Sequence, residues 1–324
     1  MEDIQDDLFS PGPIDRHVLG LQGQHRSALI WAANGVGPGF LRATGREVQS
    51  RKLGVQLHRD VLERVRFAGF YGLHRVRSIK LDLGLITALI ERWRQETHTF
   101  HFPHGEATIT LQDVEILMGL RVDGDAVTGR DESVEDDTFL DLLGHVPERR
   151  QRKGNRLRLK WFSDTFHHEQ LPAHPDPAQV DWYARAYIME LLGGLLFPDK
   201  SRTLVKLHLL PLLRDFGRCR RFAWGAAALA CLYREMCKAC MSDTTDIGGP
   251  LLLLQMWAWE RLPYLRPQPL RDIVPEVDVD DRGPRGCRWR VPCTVREVST
   301  HVLRVYRDQL DQMRADQVSF FTLI

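Results

Sequence analysis

The segment LLLLQMWAWERLP, residues 251–263, concentrates leucine, methionine and tryptophan more densely than any other part of the chain. Read as a helix, its apolar side chains cover nearly the whole circumference, with one stripe formed by Leu251, Leu254, Trp257 and Ala258. A helix that is apolar on nearly all sides is buried on nearly all sides. The segment is therefore predicted to be the central helix of the core. Glu260 and Arg261 at its end either form a buried polar contact or reach a partner.

A membrane-spanning role for this segment is not expected. Its uninterrupted apolar run ends before Gln255, whereas a spanning helix needs roughly 18 to 20 continuous apolar residues. The first residues, MEDIQDDLFSPGP, are acidic and contain prolines, so they lack the basic and apolar regions of a signal peptide. No membrane partner is predicted.

Composition indicates a globular protein of the cytosol or nucleus. The 324 residues are 43% hydrophobic and 27% charged, and 44 basic against 43 acidic residues give a net charge of +1. No global field therefore attracts nucleic acid or anionic membrane, although a local patch could. Without a secretory signal the cysteines are expected to be free thiols. They are Cys219, Cys231, Cys237, Cys240, Cys287 and Cys293.

Local signals predict a helix, a hairpin and a second helix in succession. Asp82 is a good N-cap for a helix whose apolar face comprises Ile86, Leu89, Ile90 and Trp93. The stretch THTFHFPHGEATITL, 97–111, alternates around a PHGE turn and predicts a hairpin. TLQD, 110–113, resembles a capping box for a helix to about Met118 that Gly119 ends. Strands are expected in this region alone.

Further helical patterns cover much of the remaining chain. A strong helix is expected from Asp176 as N-cap, with Pro177 at its first position. The other predicted helical stretches are 131–143, 204–214, 222–241, 250–261 and 294–315. The predicted class is mainly α: a single large helical domain with one small β-hairpin inserted between helices. A loop-rich segment, 1–60, is expected to pack on the helical domain, 61–316, and a short tail spans 317–324. The predicted core markers are Trp93, Leu191, Leu254, Trp257 and Trp259.

The candidate metal and redox motifs favour structural roles. Cys237 and Cys240 form one C-x-x-C late in a helical pattern, without a second ligand pair, so packing thiols are favoured. Strand alternation would place His98 and His101 on opposite faces, and His104 belongs to the turn. HHEQLP, 167–172, has proline where the H-E-x-x-H zinc motif needs histidine. Phosphate-binding glycine loops and the G-x-S-x-G elbow are absent. No catalytic residue, cofactor or metal is therefore predicted.

The basic run RRQRKGNRLRLK, 149–160, is the one charged stretch with a candidate function. Its cations are Arg149, Arg150, Arg152, Lys153, Arg156, Arg158 and Lys160. Three interpretations stay open: a solvated loop that balances the preceding acidic stretch, a nuclear-import signal, and a patch that contacts phosphates. The alternation in RLRLKWF also predicts an amphipathic segment that docks Leu157, Leu159 and Trp161.

Several stretches taken together resemble the plant mobile domain family, which comprises maintenance-of-meristems-like nuclear proteins, phosphatase 7 long-form-like proteins and transposon-encoded relatives. No single motif among them is catalytic, but their combination and order are specific. They are PGPIDRHVLGLQGQHRSALIW (11–31), RFAGFYGLHRV (66–76), LITALIERWRQETHTFHFPHGEATITLQDVEILMGLRVDGDAV (85–127), WYARAYIMELLGGLLFPDK (182–200), LPLLRDF (210–216), DIGGPLLLLQMWAWERLP (246–263) and GCRWR (286–290).

The resemblance implies a nuclear protein of plants that acts in genome maintenance, transposon silencing and meristem development. Its implied partners are proteins, among them a phosphatase-7-like protein or a second mobile-domain protein. Metallophosphatase motifs are absent, and so is a lysine constellation for pyridoxal phosphate, so a non-enzymatic interaction module is expected. The alternative is a nucleic-acid-binding accessory protein of a plant mobile element, which would use the basic run. A weaker third possibility is an enzyme of unrecognised chemistry.

Overall fold

Short helices make up most of the computed structural model, which describes residues 19–32, 37–43, 57–76, 79–129, 134–201, 203–267, 283–290 and 300–317. The α-helices are α1 (Arg26–Ala32), α2 (Arg59–Phe67), α3 (Tyr71–Val76), α4 (Leu83–Ile90), α5 (Leu111–Met118), α6 (Asp136–Leu143), α7 (Leu159–Thr165), α8 (Pro177–Leu191), α9 (Phe216–Cys219), α10 (Trp224–Ala239), α11 (Leu251–Arg261) and α12 (Thr300–Asp311). Turns of 3-10 helix include Leu207–Leu213 and Arg285–Arg290. The predicted mainly α class is confirmed.

The described residues also form two small antiparallel sheets of three strands each. The first comprises β1 (Trp93–Arg94), β2 (Thr99–Phe102) and β3 (Gly105–Ala107), and the second comprises β4 (Arg152–Lys153), β5 (Arg156–Arg158) and β6 (Leu204–Lys206). The predicted hairpin is present as β2 and β3. The expectation of strands in that region alone is wrong, because β6 pairs with β5 across a long sequence separation.

Helix α11 is the buried axis that its composition predicts. Every side chain from Leu251 to Glu260 is buried, and the helix packs against α4 and α5. Trp257 stacks on Phe100 of β2 with ring centroids 5.0 Å apart, and Trp259 contacts Trp289 at the same separation. The five core markers lie in this one hydrophobic cluster.

The polar side chain in the middle of α11, Gln255, is hydrogen-bonded through both its amide oxygen and its amide nitrogen. Gln255 donates from Nε2 to the carbonyl oxygen of Lys80 (2.9 Å) and accepts from the backbone N–H of Asp82 (2.6 Å). Asp82 in turn caps α4 by accepting from Leu85 N (3.0 Å). A buried amide has to be hydrogen-bonded to avoid a desolvation penalty, so Gln255 fixes the start of α4 against α11.

Glu260 and Arg261 make buried polar contacts within the chain. The Glu260 carboxylate, 2% exposed, accepts from Arg285 Nε (3.1 Å) and Arg288 Nε (3.0 Å). It also accepts from Trp289 Nε1 (2.9 Å), while Arg261 pairs with Asp113. Of the two roles considered for this helix end, the buried contact is therefore the one observed. It holds the 3-10 turn Arg285–Arg290 against the core.

Several predicted helix boundaries are confirmed. Thr110 and Asp113 form the capping box of α5, and Gly119 ends that helix in a left-handed conformation with φ of 63°. Asp176 caps α8 by accepting from Ala178 N (2.8 Å). Beyond Leu191 the chain continues through a π-helical turn, Leu192–Leu196, which explains why the apolar period persists to Leu195.

Other boundaries differ from the prediction. Trp93 lies in β1 rather than on the face of α4, because the helix ends at Ile90 and Trp93 pairs with Phe100 across the sheet. The stretch 204–214 is β6 followed by the 3-10 turn Leu207–Leu213, since Pro211 cannot donate the backbone hydrogen bond of an α-helix. Within 131–143 the observed helix is α6, and residues 131–133 lie outside the described residues. Of 294–315, residues 294–299 also lie outside them.

Two buried histidines are held neutral. His25 donates from Nε2 to the carbonyl oxygen of Trp93 (2.8 Å), and its Nδ1 accepts from Ser27 N (3.1 Å), so a second proton on Nδ1 would break the bond from Ser27. Burial, helped by Arg94, lowers the pKa of His25 to about 4. Burial lowers the pKa of His168 to about 4 as well, and its ring lies edge-on to Tyr183 and Tyr187.

Removing the Trp257 indole should destabilise the protein strongly. We expect Trp257→Ala to lower the free energy of unfolding by about 3–5 kcal/mol, the usual cost of deleting a core aromatic. Denaturant unfolding measures it, with Tyr264→Ala as the matched control, because Tyr264 is 60% exposed and its loss should stay within about 0.5 kcal/mol. Equal effects of the two variants would contradict the buried axis.

Stability should fall as pH drops from 6.5 to about 4. Over that interval the unfolded histidines bind protons while folded His25 and His168 do not, so protons favour unfolding. Each histidine contributes about 3 kcal/mol to the free energy of unfolding. This contribution is fully present above pH 6.5. We expect His168→Phe, which cannot bind a proton, to make the pH dependence of the free energy of unfolding shallower. An unchanged dependence would mean that His168 is protonated equally in both states.

Candidate functional site

The basic run is folded rather than a free loop. Its second half forms β4, β5 and the start of α7, with Leu157 and Leu159 buried and Trp161 7% exposed. The predicted amphipathic docking of these three side chains is confirmed. Arg156 and Arg158 alternate with them and are exposed, because successive side chains of a strand point to opposite faces.

Four cations of the run pair with carboxylates. The pairs are Arg150 with Glu148 (2.7 Å), Arg152 with Asp136 (2.5 Å), Arg156 with Asp199 (4.0 Å) and Lys160 with Asp164 (3.1 Å). Arg152 also lies over the ring of Phe139, 4.5 Å from its centroid. Among the described residues, the Arg152 pair alone joins the run to the preceding acidic stretch, so in this part of the chain charge balance between the two accounts for one cation.

Strand register places three cations side by side. Lys153 lies directly opposite Arg156, and Arg156 lies directly opposite Lys206. Residues directly opposite in antiparallel strands project from the same face, and like charges there are destabilising. We call Lys153, Arg156 and Lys206 the cation stripe. Its arrangement has an electrostatic cost that an anion bound over the sheet would offset.

The cation stripe borders a cleft of about 850 Å³. One wall is formed by the segment 197–200 with β5 and β6, and the facing wall is one side of α10. The α10 residues that form this wall follow one another at helical spacing. They include Ala227, Ala230, Cys231, Arg234 and Lys238. We call this the basic cleft, and its cationic residues are Arg156, Lys200, Lys206, Arg234 and Lys238.

Charge in the basic cleft is unevenly neutralised. Five cations face two carboxylates, a formal excess of three positive charges. Glu235, 13% exposed, pairs with Lys238 (2.9 Å) and Arg234 (3.4 Å), whereas Asp199 lies 4.0 Å from Arg156. Among the described residues no carboxylate pairs with Lys206. Of the three excess charges, two lie formally on the sheet side of the cleft, where Arg156, Lys200 and Lys206 face Asp199, and one lies on the helix side.

Apart from His208 and Cys231, the remaining lining of the basic cleft is apolar. These residues are Val127, Phe197, Pro198, Leu204, Leu209, Ala227 and Ala230. Ligand sites in proteins commonly combine a mostly apolar lining with a few charged groups, in volumes of roughly 300–1,000 Å³. The basic cleft has that composition and size.

The π-helical turn after α8 holds the sheet wall in place. A Cβ on Gly193 would lie 2.6 Å from Val205 Cβ, so only glycine permits this approach of the turn to β6. The carbonyl oxygen of Pro198 accepts from Gly249 N (3.0 Å), just before α11. Single π-turns inside α-helices are frequent at functional sites, and here the turn ends where the cleft wall begins.

The cysteines serve packing. The five that lie in described residues are free thiols, and Cys293 lies outside those residues. Burial raises the pKa of Cys240 to about 12 and also raises the pKa of Cys237, so both stay protonated and poorly nucleophilic. Cys237 Sγ accepts from Trp93 Nε1 (3.4 Å). Cys231, in the basic cleft, likewise has a pKa raised by burial.

The histidines of the hairpin region do not converge. His98 lies in the turn before β2 with φ of 53°, and its ring faces Trp93 and Tyr233. His101 Nε2 lies 3.4 Å from the carboxylate of Glu106. The two are separated as predicted, but by the turn rather than by strand alternation. Within the described residues no group of three or more His, Cys, Asp or Glu is placed to hold a metal ion.

Of the seven basic residues singled out from the sequence, only Arg156 lines the cleft. Arg149 and Arg150 lie before the sheet, and Arg158 and Lys160 lie after Arg156 and outside the cleft. Sequence reasoning missed Lys206, Arg234 and Lys238. The alternation in TLVK, 203–206, signals a strand with Lys206 on its polar face, but the partner strand is visible only in the fold.

The chain belongs to the plant mobile domain family, whose sequence profile matches residues 69–322. In Arabidopsis thaliana it is 45% identical over 317 residues to Serine/threonine-protein phosphatase 7 long form homolog, covering 96% of this chain and 23% of that protein. It is 36% identical to Protein MAIN-LIKE 2, covering 97% of this chain and 45% of that one. For Protein MAINTENANCE OF MERISTEMS the identity is 38%, covering 78% and 52%.

The chain thus spans from about a quarter to about half of the length of these relatives. No solved structure matches it significantly. Within the described residues, none of the helices combines the length and apolar character that a bilayer-crossing segment requires.

Neutralising one cation of the stripe should stabilise the fold. We expect Lys206→Gln to raise the free energy of unfolding by about 0.2–1 kcal/mol at low salt, because it relieves the repulsion with Arg156. The matched control is Lys206→Arg, which keeps the charge and should leave stability unchanged. The gain should shrink at high salt. A loss of stability in Lys206→Gln at low salt would show that the stripe is not repulsive.

Proposed function

We propose that this chain is a non-enzymatic nuclear protein-interaction module that acts in transposon silencing, genome maintenance and meristem development. The observation that carries the proposal is the basic cleft. It reaches the surface through exposed Arg156, Lys200, Arg234 and Lys238, and it combines an apolar lining with an excess of positive charge. Such a combination suits recognition of another molecule.

The relatives support a module that works beside other protein segments. This chain matches 23% of the phosphatase 7 long form homolog and about half of Protein MAINTENANCE OF MERISTEMS. The relatives thus contain the same domain together with additional sequence of different lengths. One relative is named for a protein phosphatase and another for meristems, so a phosphatase-7-like protein or a second mobile-domain protein is the proposed partner.

The chemistry of the described residues supports the non-enzymatic part of the proposal. The thiol nearest to the basic cleft, Cys231, has a pKa raised by burial, which disfavours the nucleophilic thiolate. Outside the cleft, His25 and His168 are buried and neutral, with pKa values of about 4, so their rings are poorly suited to general acid–base exchange with a substrate near pH 7. The histidine that lines the cleft is His208. The cleft offers binding groups rather than an activated nucleophile.

A second candidate function is binding of nucleic acid as an accessory protein of a mobile element. It is favoured by Arg149, Lys153 and Arg158, which are exposed and make no ion pair with a described carboxylate. Lys153 and Arg158 share one face of the second sheet with Arg156, and Arg149 lies in the turn just before it. Phosphate contacts of this type would make affinity fall steeply with salt.

Affinity purification distinguishes the two functions. The full tagged chain is purified from plant nuclei, the sample is divided, and one half is treated with nuclease before mass spectrometry. We expect a phosphatase-7-like or second mobile-domain protein to remain bound after nuclease treatment, because a protein–protein contact needs no nucleic acid. A tagged unrelated nuclear protein is the control for adventitious capture.

Recovery of nuclease-sensitive material alone would contradict the proposal. It would favour the nucleic-acid function, and the salt dependence of binding to an oligonucleotide would then measure the number of phosphate contacts. Stoichiometric recovery of a metal or cofactor with the purified chain would contradict the non-enzymatic part.

A further inference from the structure

We propose that the basic cleft binds an extended acidic segment of a partner protein, with its carboxylates on Arg156 and Lys206 and an apolar side chain against Phe197 and Leu209. This inference rests on the proposed interaction function and adds the site and the chemistry of the ligand. It follows from three properties of the cleft: its strand register, its charge distribution and its apolar lining.

The register shows that the charge of the sheet wall is unbalanced. Arg156 and Lys206 are directly opposite in β5 and β6, so their charges repel. The nearest carboxylate, Asp199, is 4.0 Å from Arg156 and also accepts from Ser201 Oγ (2.7 Å). Its charge is thus shared, and an incoming carboxylate bridging Arg156 and Lys206 would turn a repulsive pair into an attractive cluster.

The helix wall of the cleft is neutralised in part, because its two cations share one carboxylate. Glu235 holds both Lys238 and Arg234 within 3.4 Å, and Arg234 also donates to Cys231 Sγ (3.7 Å). Arg234 and Lys238 therefore serve mainly as part of the cleft wall and attract an anionic ligand less strongly. The binding charge is concentrated on the sheet wall, which fixes where the carboxylates of the ligand would lie.

A peptide fits this charge distribution better than a nucleic acid. The phosphate backbone presents negative charge at every nucleotide, and here it would pass Asp199 and Glu235 as well as the cations. The apolar surface of Phe197, Leu204 and Leu209 would face that backbone without a matching group. An acidic peptide supplies both carboxylates and an apolar side chain, and its charges can be spaced to avoid Asp199 and Glu235.

Fluorescence anisotropy with the full chain tests the proposal. The probe is a short fluorescein-labelled peptide in which aspartate alternates with leucine. We expect saturable binding that the double variant Arg156→Glu, Lys206→Glu weakens by at least about tenfold, since like charges across an interface cost several kcal/mol. The matched control, Arg149→Glu with Arg150→Glu, makes the same charge change in the same basic run but outside the cleft, and should bind as the wild type does. Thermal unfolding verifies that both variants are folded.

Two further probes address specificity. A peptide with serine in place of each leucine should bind at least about tenfold more weakly, because it loses the apolar contact that supplies part of the affinity. Labelled single-stranded and duplex DNA should bind more weakly than the leucine-containing peptide at physiological salt. DNA that binds more tightly, and loses affinity in the double variant, would overturn the proposal in favour of nucleic acid.

Several results would overturn the inference. Absence of peptide binding, equal losses in the double variant and its control, or equal affinity of the leucine and serine peptides would each do so. The same double variant, used in the purification from plant nuclei, separates this inference from the proposed function. If the double variant still captures the partner after nuclease treatment as well as the wild type does, the cleft is not the docking site. The proposed interaction function would be unaffected by that result.

Discussion

The burial of α11 on all sides is the constraint on which the rest of the structure depends. An apolar helix in the centre of a core leaves no solvent for its few polar groups. The indole N–H groups of Trp257 and Trp259 make no hydrogen bond with the described residues, whereas Gln255 and Glu260 are hydrogen-bonded inside the protein. Gln255 forms hydrogen bonds with the backbone of Lys80 and Asp82, and Glu260 forms hydrogen bonds with the turn Arg285–Arg290. The positions of two irregular segments therefore follow from the polar residues of one helix. The tryptophans of this segment serve packing, and the proposed recognition surface is the basic cleft, on the other side of the second sheet from the core.

Away from α11, buried guanidinium groups likewise hold segments in place by hydrogen bonds and ion pairs. Arg185 of α8 donates to the carbonyl oxygens of Leu213, Leu142 and Arg214, and Arg307 of α12 pairs with Glu91, which is 1% exposed. One planar group with several donors satisfies several carbonyl groups that no regular element would use. Such groups tie short helices to the irregular chain between them. The wall of the basic cleft begins at Phe197, directly after the π-helical turn that follows α8.

Sequence reasoning succeeded where structure is set by neighbours along the chain. The capping residues of α4, α5 and α8, the buried axis and the hairpin all follow from local spacing. It missed the strand at Trp93, which pairs with Phe100 across a short turn. It also failed where a distant segment decides: Lys206 lies in a strand because its segment pairs with β5. The basic cleft belongs to this second group. Arg156, Lys206 and Arg234 meet only through pairing and packing, and the repulsion of the stripe is a property of register, which no single segment reveals.

The central claim is that recognition occurs at the basic cleft and not at the aromatic core. Hydrogen–deuterium exchange of the full chain, with and without the acidic leucine-containing peptide, tests it most directly. Exchange reports where the backbone becomes protected. The account predicts slower exchange in β5, β6 and the cleft-facing part of α10, with no change in α11. Protection confined to α11, or to residues 149–151 outside the cleft, would contradict it.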